Sequence, residues 1–135
     1  MATIIGDDAV EDIVKLLNDT DLPNLCKKKK AYKYEKENGI DGEYIAVNHL
    51  PFVYQGDVEN GIININIHVP QTKTNQVPTR RLKTLTKAII QLFPKDTYIN
   101  GSYYELYSIS RPVLDNDKTY YVNIQLKIYY NNLNY

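Results

Sequence analysis

Tyr120-Tyr121-Val122-Asn123-Ile124-Gln125-Leu126-Lys127-Ile128-Tyr129-Tyr130 is the stretch whose reading decides the fold. Tyr120, Val122, Ile124, Leu126, Ile128 and Tyr130 fall on one parity; Tyr121, Asn123, Gln125, Lys127 and Tyr129 fall on the other. Side chains of a strand alternate between faces, so this period predicts a long strand with one face on a core and the other wet. Ile63, Ile65, Ile67 and Val69, alternating with Asn64, Asn66 and His68, repeat the pattern upstream. The chain is thus built on a sheet buried on one side, with a polar far side studded with tyrosine.

An apolar sheet face needs helices to cover it. Asp8 and Glu11, three apart, make a capping-box-like start. Val10, Ile13, Val14 and Leu17 then follow at helical spacing, so residues 8–18 read as an amphipathic helix, stopped by Asn18-Asp19-Thr20-Asp21 and Pro23. Leu22 and Leu25 are expected to pack back onto the core. Ala31–Tyr34 and residues 43–50 read as strands around the turn cluster Asn38-Gly39-Ile40-Asp41-Gly42. A third strand, 61–69, closes at Pro70. Thr79 is expected to cap a second helix over 80–93, with Leu82, Leu85, Ile89, Leu92 and Phe93 inward, until Pro94 stops it. Residues 102–111 alternate imperfectly, as a bulge or two-sided burial would produce, and Asp115-Asn116-Asp117 turns into the last strand. The expected fold is α+β, with residues 1–135 as one domain in the order α-β-β-β-α-β-β. Its core is one mostly antiparallel sheet of about five strands with two helices packed on one face.

At 135 residues the chain is long enough to bury roughly two-thirds of its unfolded surface without disulfides or metals. Lys plus Arg and Asp plus Glu number 16 each, so the net charge is zero. No overall field then points to nucleic acid or acidic lipid as the main partner, and a neutral surface resists self-association weakly. Cys26 is the single cysteine, which excludes an intrachain disulfide and a CxxC metal site. No apolar run reaches the ~18–20 residues of a membrane span, and Met1–Asp8 lacks the pattern of a secretory signal. Thirteen tyrosines against two phenylalanines are the physical oddity. Tyrosine packs a ring while keeping a wet hydroxyl, which suits half-buried sheet faces and subunit interfaces.

Groups that could carry chemistry are few. His49 and His68 would have to meet across the sheet, with a third ligand, to hold a metal; a solvated or hydrogen-bonded histidine is the simpler expectation. Lysines beside Cys26 would depress its pKa, yet a small packed residue after a helix is the plainer role. Asp115-Asn116-Asp117 resembles a calcium loop only superficially, because Tyr120 and Leu126 stand where glycine and glutamate are required. The glycines make no phosphate cradle. The expectation is no catalytic residue, no metal and no cofactor. Lys27, Lys28, Lys29 and Lys30, next to Tyr32 and Tyr34, could meet a phosphate backbone with the rings stacked on bases; a solvated loop is the alternative. Tyr121, Tyr129 and Tyr135 either pair across strands or anchor a subunit interface.

Gly61–Pro70, the helix Arg80–Phe93 after it, Tyr107-Ser108-Ile109-Ser110-Arg111-Pro112 and the last strand ending Ile128-Tyr129-Tyr130 resemble bacteriophage neck proteins of the tail-terminator or tail-completion type. The resemblance implies a structural, non-enzymatic virion protein, made in the host cytoplasm and placed at the head–tail junction. It implies a ring of about six or twelve copies, in contact with portal or connector and tail proteins and with no membrane. In such a ring Gln71, Lys73, Asn75 and Gln76 of the 70–78 loop are candidates to touch a neighbouring ring or the channel. This loop and the 51–60 loop are expected to order only on assembly. Lys27–Lys30 becomes a candidate DNA-facing run. The alternative is a small nucleic-acid-binding module using that run with Tyr32 and Tyr34.

Overall fold

The structure is a computed structural model and describes residues 4–20, 22, 31–36, 42–53 and 59–130. Helix α1 (Gly6–Asp19) begins where the Asp8 carboxylate reaches back to accept the Ile5 N–H at 3.0 Å. Asp8 therefore sits inside the first turn and is not the cap expected of it. Val10, Ile13 and Leu17 are buried, and so are Gly6 and Ala9. Gly6 leaves room for a ring: a Cβ there would lie 2.3 Å from the His49 imidazole, which would have to shift.

Strand β1 (Ala31–Lys33) is held at its outer edge by Asn18. That side chain accepts from Ala31 N at 3.0 Å and donates to Ala31 O at 3.2 Å, standing in for a missing strand. β1 pairs parallel with β2 (Tyr44–His49), which pairs antiparallel with β3 (Glu59–Pro70). Helix α2 (Thr79–Ile90) follows, fastened to the start of β2 by Arg81, whose Nε and Nη2 donate to Glu43 at 2.6 and 2.7 Å. Two differences from expectation arise here. Thr79 does not cap α2, since its hydroxyl donates to Val77 O. The helix also ends at Ile90, and residues 91–93 continue as turns that still seat Phe93 in the core.

β4 (Thr97–Ile99), β5 (Ser102–Ile109), β6 (Val113–Leu114) and β7 (Thr119–Tyr130) complete the chain. The fold is α+β, but the sheet is larger than expected and mixed: among the described residues seven strands are ordered β1-β2-β3-β7-β5-β4, with β6 on β7. β4 and β6 went unexpected because runs of three and two residues carry no readable period. The imperfect alternation of β5 resolves as a bulge, with the register slipping between Leu106 and Ser108.

Ile63, Ile65, Ile67, Ile124, Leu126 and Ile128 are at most 1% exposed. They share one core with Val10, Ile13 and Leu17 of α1 and Leu82, Leu85 and Ile89 of α2, so both helices cover the same sheet face. No helix among the described residues is long and apolar enough to cross a membrane.

Candidate functional site

The uncovered face of the sheet forms a cleft of about 760 Å³. Its floor is a row of amides. Asn64 Nδ2 donates to Asn48 Oδ1 at 2.9 Å, Asn123 Nδ2 to Asn66 Oδ1 at 2.8 Å, and Gln125 Nε2 to Asn64 Oδ1 at 3.0 Å. The even-numbered polar residues of β3 and the odd-numbered ones of β7 are thereby cross-linked on the face that strand alternation assigns them. Asn64 is only 9% exposed, so these bonds satisfy groups that burial would otherwise penalise.

At one end of the cleft His68 is sandwiched between rings. Its imidazole stacks on Tyr44 at 4.3 Å and 8°, and faces Tyr121 at 5.1 Å and 28°. The hairpin turn before β7 brings in the rest. Thr119 Oγ1 donates to Asp117 Oδ1 at 2.5 Å, Tyr44 donates its hydroxyl to Asp117 Oδ2 at 2.7 Å, and His68 Nδ1 lies 2.9 Å from Thr119 Oγ1. A hydroxyl has one proton. Thr119 spends its proton on Asp117, so His68 Nδ1 carries the hydrogen of its bond to Thr119, and neutral His68 keeps its lone pair on Nε2. Burial lowers the His68 pKa against the opposing pull of Asp117 and Asp115. Burial also works against ionisation of Asp117, but hydrogen bonds from Thr119 and Tyr44 outweigh it and hold the carboxyl below its usual range. Burial, then the bond to Asp117, pushes the Tyr44 phenol well up.

Donor atoms of His68, Asp115 and Asp117 lie within 4.8 Å of one another, close enough for a cation. The fit is poor. Asp117 already takes Tyr44 and Thr119, His68 Nδ1 bears a proton, and Lys36 Nζ stands 3.8 Å from Asp117 Oδ2. A metal would have to undo a network that is already satisfied. The Ser110 hydroxyl that lines the cleft is likewise engaged, donating to Arg111 O.

The two histidines do not meet. His49 shares the helix-covered side with Ile45 and Val47, beneath Gly6, while His68 lines the cleft. The turn carboxylates were what sequence reasoning missed around His68; no spacing rule joins residue 68 to residues 115–119. Tyr121 lines the cleft, and Tyr129 donates to Glu105 at 3.0 Å and stacks on Tyr103 at 5.8 Å. Both make the cross-strand pairings open to them. Tyr135, Cys26, Leu25 and Lys27–Lys30 lie outside the described residues. Tyr32 is 5% exposed, so its ring is closed to a base, and the Tyr34 hydroxyl donates to Asp7. Lys73, Asn75 and Gln76 are exposed and Gln71 is half-buried. Their turn is already closed within one chain, by Asn75 N to Thr72 O at 2.8 Å and Thr72 N to Gln76 O at 3.0 Å.

No protein-family model matches the chain, and no curated protein matches it. It is similar to a solved structure whose designation describes no role, with a TM-score of 0.62 and 15% identity over 91% of this chain and 92% of that one. At that identity the likeness concerns the fold alone.

Proposed function

We propose that the chain is a structural subunit of a tailed bacteriophage, closing into a ring of about six or twelve copies at the head–tail junction. In this reading it sits in the virion neck, contacts portal or connector and tail proteins, and catalyses no reaction.

One observation carries the reading. β3 occupies one side of β7 for its whole length, so β5 and β6 share the other side, end to end. β4 covers only Ser102–Tyr104, and among the described residues no strand pairs with the outer side of Glu105–Ile109 or of β6. Leu106, Tyr107, Ile109, Val113 and Leu114, all on this margin, are 39–59% exposed. An unpaired strand edge carrying apolar side chains is a liability in a free monomer and a natural joint in an assembly. A joint between unlike patches closes into a ring when the rotation permits. The amide and tyrosine face is a complementary support, since it offers fixed hydrogen-bonding groups without an activated nucleophile.

The nucleic-acid module loses a main element, because Tyr32 is buried. The test is the mass of the purified protein with images of its particles, alone and mixed with portal and tail components. Closed rings are expected. A particle that stays monomeric under both conditions would overturn the reading.

A further inference from the structure

A second recess, of about 330 Å³, lies on the helix-covered side between α1 and the β4–β5 hairpin. Asp8, Glu11 and Asp12 line it from the helix, and Ser102, Tyr104 and Ile128 line it from the sheet. Tyr104 is 1% exposed, and its hydroxyl has no hydrogen-bond partner among the described residues. A buried phenol without a partner is rare in a finished structure and marks a group that something else satisfies. The chemistry of that something follows from the lining. Glu11 is already paired with Lys33 at 2.8 Å, and one Asp8 oxygen holds Ile5 N. Asp12 receives one bond, from Asn100 Nδ2 at 2.8 Å. Two carboxylates and a phenolic oxygen are thus left as acceptors around one small space, with Lys15 the other cation near Asp12.

We propose that this recess binds a guanidinium group, donated into Tyr104 and Asp12 by an arginine of a second copy of the chain. Arg111 is the fitting donor. It is exposed on the β5–β6 connection, its guanidinium has no partner among the described residues, and it adjoins the apolar margin of Ile109, Val113 and Leu114. Charge on one patch then matches charge on the other within a contact that apolar side chains drive. Burial, followed by the charges of Asp8 and Glu11, raises the Asp12 pKa in the single chain, a cost that an arriving cation reverses. The choice of donor rests on the ring reading; the cation site does not.

The test uses the whole protein and arginine amide as probe, with citrulline amide as its uncharged analogue, followed by NMR at Tyr104, Asp12 and Ser102. Arginine amide is expected to give saturable shifts at these residues, and citrulline amide none. Asp12→Asn is expected to weaken binding by about tenfold or more. Tyr104→Phe, which keeps the ring and the packing, is expected to weaken it less but measurably. Equal shifts from both probes, or shifts that Asp12→Asn leaves unchanged, would overturn the site. Raising the concentration of the protein itself is expected to move the same resonances, and Arg111→Ala to abolish that response while still binding arginine amide. Arginine-amide binding without any such self-response would overturn the second copy as donor, independently of the site.

Discussion

Gly6 and His68 show how single residues set this molecule. A Gly6→Ala change places a methyl group 2.3 Å from the His49 ring at the start of α1. The imidazole, held by Leu50 O at 2.8 Å, must turn out of its place. A loss of about 1–3 kcal/mol is expected in urea unfolding. Adding His49→Ala should recover much of it, and a double-mutant cycle with no coupling would refute the contact. For His68 the direction with pH can be worked out. Its folded value lies below the ordinary 6.5, so above pH 6.5 both states are neutral and stability is full. Below 6.5 the unfolded chain gains a proton that the folded one resists, and stability falls until pH passes the folded value. Asp117 acts in a lower window: its contribution is present above 3.8 and is lost as pH drops through its depressed folded value. The melting temperature should therefore begin to fall below pH 6.5, and fall less in His68→Gln, as thermal melts across that range can check.

At the scale of elements, the two long strands and both helices were legible because period-2 and period-3.6 patterns survive over many residues. The short strands were not, although one carries a turn signal. Asn100-Gly101, both at positive φ (48° and 82°), is the two-residue hairpin turn joining β4 to β5. No heavy atom lies within 4 Å of a Cβ built on Gly101, so a substitution there is opposed by backbone conformation alone. Gly101→Val should speed amide exchange at Thr97–Ile99 and leave β3 and β7 as slow as before; uniform acceleration would show that the hairpin is no separate unit. The candidate site was half legible. The amides of its floor were placed on the wet face by parity, whereas the grouping of His68 with Asp115 and Asp117 depends on where the sheet register sets a turn.

For the whole molecule, the expectation concerns association. Ile109→Lys with Leu114→Lys puts charges on positions 45% and 56% exposed, so the subunit's own fold should be unaffected. Particle mass should drop to that of the single chain while the circular dichroism spectrum is retained. An unchanged assembly would move the joint elsewhere. The pairing of β3 with β7 has a consequence of another kind. The central ladder unites Glu59–Pro70 with Thr119–Tyr130, across everything that lies between them. During synthesis the isoleucine face of β3 therefore waits, uncovered on one flank, until the final strand leaves the ribosome, since contacts between distant segments form late. The nascent chain is expected to need chaperones throughout that interval, and a ribosome stalled before β7 to release an aggregating fragment instead of a partly built subunit.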